Sequence, residues 1–208
     1  MAKGRIPGPL SKKSLLGPIN DGTSTLNPSP KPGPLRRHSA ATRHEQMKID
    51  DATRLREIRK LVEANNRSTL DTDLIICQIY MESRFDANAG ARQDARGLMQ
   101  MQKQAVQQVF KYRKQKELDH MPSDKETKAA FVEGASLHNS KKIFDEATNI
   151  QLGTEYMQYW IDTTSSIENA YKNYRGVSNG IYYQKISLFA AKLKRNPESM
   201  QLLIEMVQ

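Results

Sequence analysis

Glu82 is the side chain of this sequence best placed to move a proton. It ends an apolar run from Thr72 that carries Leu74, Ile75, Ile76, Ile79 and Tyr80. That is too much apolar surface for a solvated element, so the spacing predicts a central helix with Asp71 or Thr72 as its cap. Ile79 and Ile75, three and seven residues earlier, share a face with Glu82. A carboxylate on that face is costly to bury in its ionised form, and the negative end of the helix dipole adds to the cost. Both effects favour the protonated carboxyl, the form a general acid must hold near neutral pH. Fifteen residues on, after a polar loop that leaves room for one short hairpin over 84–96, Gly97-Leu98-Met99-Gln100 opens a second helical periodicity through Leu98, Met101, Ala105 and Val109.

Other chemistries find little support. His38, His44, His120 and His138 are scattered without a metalloprotease spacing, and Gly-x-Ser-x-Gly, a phosphate loop and Cys-x-x-Cys are all absent from the sequence, so no metal and no cofactor are expected. The single Cys77 excludes an intrachain disulfide and a Cys-rich zinc site. Among Leu74, Ile76 and Tyr80 it reads as a small core residue.

The elements that must hold Glu82 follow from composition and pattern. Of 208 residues 38% are apolar, and the formal charge is +9. Residues 1–45 hold eight Lys/Arg against Asp21 and Glu45, about +6, which leaves about +3 on residues 46–208. The same 45 residues hold seven of nine prolines and five of eleven glycines, with Pro-Gly-Pro-Leu at 7–10 and again at 32–35. Such a segment buries too little apolar surface to offset its chain entropy and is expected to be a disordered arm, either a passive linker or a docking or export segment. Residues 46–208 are expected to form one all-α domain, large enough to bury its own core. Leu55, Ile58 and Val62 mark its first helix. Ser123 and Glu126 form a capping box that opens another, and further helices are expected over 145–162, 166–174, 179–194 and 198–207. The longest apolar run is too short to cross a membrane, and the N-terminus lacks the apolar stretch of a secretory signal.

Within this frame Glu82-Ser83-x-Phe85, then Ala95-x-Gly97-Leu98-Met99-Gln100, resembles the soluble lytic transglycosylase domain, a lysozyme-like helical fold. Phe144-Asp145, Asn149-Ile150-x-Leu152-Gly153-Thr154 and Tyr156 resemble its next block, and Ala170-Tyr171-x-x-Tyr174-x-Gly176 with Tyr183-x-Lys185-Ile186 a looser last one. The resemblance covers about residues 70–190. Ala87 stands where that family has Pro, Ala91 where it has Ser, Asp94 where it has Gly and Arg175 where it has Asn. These departures bear on substrate preference more than on reaction class.

The resemblance implies cleavage of the β-1,4 bond between N-acetylmuramic acid and N-acetylglucosamine in peptidoglycan, with a 1,6-anhydro product and Glu82 as acid and then base. It also implies substrate-contacting roles for Ser83, Met99 and Gln100, and a tyrosine near the catalytic carboxyl. Tyr174 is the match for that tyrosine and Tyr171 its competitor. Each has a plainer reading: Ser83 as a cap of the loop, Met99 as core, and Asn149 is better read as structural. A hydrolytic muramidase would need a second carboxylate, for which Asp86 and Asp94 are nearest; the similar goose-type lysozymes carry an Asp where this chain has Gln102. A non-catalytic wall-binding module is a further alternative. Nucleic-acid binding is disfavoured because the basic residues concentrate in the arm. With no export signal read, the expected context is an antibacterial effector made in the bacterial cytoplasm. It would be a monomer delivered by a secretion machine such as a type VI system, act in the periplasm, and be neutralised by an immunity protein. A phage lysin or tail enzyme is the runner-up.

Overall fold

The computed structural model describes the backbone of residues 40–208 except Ser165 and Asn179, with side chains from residue 52 onward. The disorder expected of the arm falls almost wholly outside these residues. The first helix, α1, spans Ala40–Asn65 and so begins six residues before the expected boundary at 46. The last proline of the arm is Pro34, and from Ala40 onward neither Pro nor Gly interrupts the helix.

Seven more helices follow: α2 Thr72–Ser83, α3 Lys103–Leu118, α4 Asp124–Asn139, α5 Glu146–Thr163, α6 Ile167–Arg175, α7 Ile181–Arg195 and α8 Met200–Met206, with a 3-10 turn at Lys141–Phe144. No strand occurs among the described residues. The all-α class expected from the periodicities is the class observed. Helix α2 is the centre of the bundle, packed by α1, α7 and α8, while α5 bridges α1, α3 and α6. Leu55, Ile58 and Val62 of α1 and Ile75, Ile76, Cys77 and Ile79 of α2 are fully buried. Burial pushes the Cys77 thiol up to about 12, as suits a core side chain rather than a nucleophile.

Helix starts follow the sequence closely. Asp71 caps α2 by accepting from the Asp73 N–H. Ser123 and Glu126 complete the capping box of α4. One start differs. The periodicity from Gly97 predicts a helix there, yet 97–100 form a turn closed by a bridge between Arg96 and Met101, and α3 starts only at Lys103. Gly97 at φ 73° and Gln100 at φ 49° have left-handed backbones that no α-helix contains. The hairpin allowed over 84–96 is not formed; the turns of that loop give way to this bridge downstream of it.

Gly153 in the middle of α5 has a packing reason. A Cβ there would meet Met99 Sδ at 2.3 Å and Met99 Cβ at 2.8 Å, so the glycine lets the 97–100 turn lie directly on α5. Gly153→Ala gains about 1 kcal/mol in helix propensity but overpacks a core contact, which typically costs about 1–3 kcal/mol. The expected outcome of chemical denaturation is a net loss of stability, with the midpoint lowered at unchanged slope.

Candidate active site

Helix α2 is tied at both ends. Near its start the Arg59 guanidinium of α1 donates to Asp73 at 2.7 Å, and Lys194 of α7 donates to Asp71 at 2.9 Å. At its end the chain leaves through two successive left-handed residues, Arg84 at φ 56° and Phe85 at φ 65°. Such conformations cost a non-glycine residue about 1–3 kcal/mol each and persist only where the surroundings impose them. Here the Arg84 N–H caps Tyr80 O at 3.0 Å, and Phe85 is buried edge-on to Tyr80 with ring centroids 5.0 Å apart. Arg54, itself paired with Glu146, donates to the Phe85 carbonyl at 3.0 Å. The direction of the chain just past Glu82 is therefore set by α1 and α5.

The Glu82 side chain is only 5% exposed. Its Oε1 accepts from Arg175 Nη1 at 3.0 Å, at the end of α6, and from the Tyr182 hydroxyl at 3.1 Å, in the first turn of α7. The Arg175 guanidinium also lies over the Tyr182 ring, 4.3 Å from its centroid. Burial opposes the Arg175 charge, but the Glu82 carboxylate and Tyr182 outweigh it and hold the group above its usual range. Burial, with the negative charge of Glu82 beside it, raises the Tyr182 phenol well above its ordinary value. At neutral pH the carboxyl thus faces one permanent cation and one hydroxyl that stays protonated. Arg175, the departure from the resembled Asn, falls on the carboxyl itself.

The other candidates lie behind this group. The Tyr174 hydroxyl donates to the Met99 carbonyl at 2.7 Å, although Tyr174 lies near enough to Glu82 for that charge to help burial raise its phenol well above normal. The Tyr171 hydroxyl donates to Gln78 Oε1 at 3.0 Å, and its ring stacks on Tyr183. Both tyrosines are buried. Ser83 Oγ bonds back to Ile79 O at 3.1 Å, and Met99 is fully buried against α5. Gln100 is half-buried and donates to Gly97 O at 2.9 Å. The structure therefore brings Glu82 together with Tyr174 and Tyr171 as neighbours, and uses Ser83, Met99 and Gln100 within the scaffold of the turn and helix end. Asp86 and Asp94 are exposed; Asp86 accepts from Asn88 N–H at 2.9 Å and Asp94 lies 3.8 Å from His138.

Asn149 holds the 97–100 turn from beneath. Its Oδ1 accepts from Met99 N–H at 2.8 Å, and its Nδ2 donates to Ile143 O at 2.7 Å and Arg96 O at 3.1 Å. The loop before the turn is fixed to α4, with His138 Nε2 donating to Asp94 O and Arg96 Nη1 to His138 O, each at 2.8 Å.

Tyr182 was not legible as a site residue, and Arg175 only as an oddity. They are 100 and 93 positions from Glu82, so no local spacing links them. One signal existed: Tyr182, Ile186, Phe189 and Leu193 form the inward stripe of α7, which aims Tyr182 at whatever α7 covers.

A buried glutamate side chain at the end of the central helix of an all-helical bundle is the arrangement that the resemblance to a lysozyme-like domain implies. The family model described as the Transglycosylase SLT domain matches residues 60–185, and the chain belongs to that family. Membership of that family supports peptidoglycan-degrading activity of the lytic-transglycosylase type. No curated protein and no solved structure gives a significant match.

Proposed function

We propose that this chain is a peptidoglycan lytic transglycosylase in which Glu82 serves first as acid and then as base. The protonated carboxyl gives its proton to the glycosidic oxygen as the bond from muramic C1 to that oxygen breaks. The C6 hydroxyl oxygen of the same muramic residue then bonds to C1, and its proton passes to the Glu82 carboxylate. The acid is regenerated, a 1,6-anhydro end is formed and no water is consumed. The observation that carries this reading is one buried carboxyl, 5% exposed, met by the hydroxyl of Tyr182 and the cation of Arg175. The exposed positions of Asp86 and Asp94, each engaged within the 84–96 loop or with His138, support a mechanism with one carboxylate over the two-carboxylate hydrolytic one.

Delivery is part of the proposal. The basic Pro/Gly-rich residues 1–45 suit a docking segment for a secretion machine, which supports an antibacterial effector that acts in the periplasm and is held in check by an immunity protein. The test of the chemistry is mass spectrometry of muropeptides released from purified peptidoglycan. Anhydro-ended fragments are the expected product. Reducing ends would mean hydrolysis, and no fragments from several wall types would leave a binding role.

A further inference from the structure

We infer that Arg175 is a gate over the Glu82 carboxyl, closed in the free protein and displaced when a glycan binds. The inference rests on the reading of Glu82 as the acid and base. To give its proton to a glycosidic oxygen that carboxyl must touch the sugar, yet its side chain is only 5% exposed, whereas that of Arg175 is 28% exposed. Of the two side chains Arg175 is the more exposed, and as a gate its guanidinium stands in the path of an incoming glycosidic oxygen. Its Nη1 occupies Glu82 Oε1 at 3.0 Å, on the same oxygen as the Tyr182 hydroxyl.

Three features make this a side chain that moves on a backbone that does not. Arg175 is the last residue of α6, and the backbone after it is capped: Gly176, at φ 66°, donates to Asn173 O and Val177 donates to Lys172 O. The guanidinium rests over the Tyr182 ring, 4.3 Å from the centroid, a surface along which it can shift without losing its aromatic contact. Most telling, the closed pose is imperfect. Arg175 Nε is buried and finds no acceptor among the described residues. A buried donor without a partner carries a free-energy cost that disappears once water or a sugar acetamido oxygen can reach it. The closed contact is held by the Glu82 charge and opposed by that unmet donor, which is the balance a displaceable gate needs. Arg175 in this scheme is a positioning residue rather than a catalytic one.

A site whose competent state is only a fraction of the population shows an apparent affinity reduced by that fraction. Arg175→Ala is therefore expected to lower KM for peptidoglycan about tenfold with kcat changed much less, corresponding to a gate open in about a tenth of molecules. Arg175→Met keeps bulk on the Tyr182 ring without the charge and replaces the alanine variant if that one does not fold. Arg175→Lys restores a cation and should return KM toward the unaltered protein. A raised KM, or kcat lowered more than tenfold, would overturn the gate. A binding comparison separates the alternatives further, with soluble N-acetylglucosamine–N-acetylmuramic acid oligomers as the probe. Glu82→Gln removes the anion that holds Arg175, so Glu82→Gln and the Glu82→Gln/Arg175→Ala double variant should bind the probe equally. Weaker binding by the double variant would instead make Arg175 a glycan contact and end the proposal. Failure of the underlying reading looks different: Glu82→Gln would then remain active, whatever Arg175 variants do to KM.

Discussion

Glu82→Gln is expected to reduce muropeptide release by about 10²–10⁴-fold, the range for removing a positioned general acid–base group. The larger end applies if one carboxyl serves both halves of the reaction, because the amide can neither give the first proton nor take the second. The fold should survive. Gln differs from Glu by one atom, its helix propensity is similar, and its carbonyl can still accept from the Tyr182 hydroxyl, which now stands 3.1 Å from Oε1. The charge partner of Arg175 is lost, but that side chain is 28% exposed and can turn to solvent. Glu82→Asp should also be strongly impaired. It keeps the charge and withdraws it by one methylene, and misplacement of a reacting group by about 1 Å can cost on the order of 10² in rate. The check is initial rates of fragment release beside thermal melts of each variant. A Gln variant with more than a tenth of the original rate would remove Glu82 from the chemistry.

The helical frame of this protein was legible because its signals are local. Leu55, Ile58 and Val62 fix the inward stripe of α1; Asp71 and Ser123 each cap the helix that follows. The glutamate was legible for the same reason, as a carboxylate on an apolar helix face. What failed was the stretch after Gly97. Leu98, Met101 and Ala105 keep an apolar period whether or not the backbone is helical, and only tertiary contacts decide. Asn149, fifty residues downstream, binds the Met99 N–H and holds this stretch as a turn. The neighbours of the carboxyl were hidden by distance along the chain in the same way. Nothing near Glu82 announces Tyr182, and Arg175 could be seen to differ from the resembled residue without being seen to touch the acid. Sequence periodicity finds faces; it does not find which two faces meet.

Asn149→Ala is the substitution expected to cost the fold most. Asn149 is fully buried and spends its whole amide on the backbone, with one bond accepted from Met99 N–H and two donated to Ile143 O and Arg96 O. Removing the side chain strands the Met99 N–H and the Ile143 carbonyl where water cannot easily follow, while the Arg96 carbonyl keeps its bond from the Met101 N–H. Each unmet buried group costs about 1–3 kcal/mol, so a total loss of about 3–5 kcal/mol is expected, in the range reached only when a buried network is broken. At roughly 2–4 °C per kcal/mol for a domain of this size, the melting temperature should fall by about 10 °C. Asn149→Asp should be no better, because it keeps the acceptor, loses both donated bonds and buries a charge beside two carbonyls. The loss should reach the site as well. The Met99 carbonyl that this turn presents is the acceptor for the Tyr174 hydroxyl at 2.7 Å, and Gly97 at φ 73° sits so close that a Cβ there would meet Asn149 Nδ2 at 2.3 Å. A slackened turn therefore frees Tyr174 behind the carboxyl, so activity should fall even well below the melting temperature. Glu82→Gln and Asn149→Ala then give opposite signatures, one inactive at full stability and the other impaired through lost stability. A stability change below about 1 kcal/mol for Asn149→Ala, the ordinary size for a point substitution, would mean that the turn holds its shape without the amide.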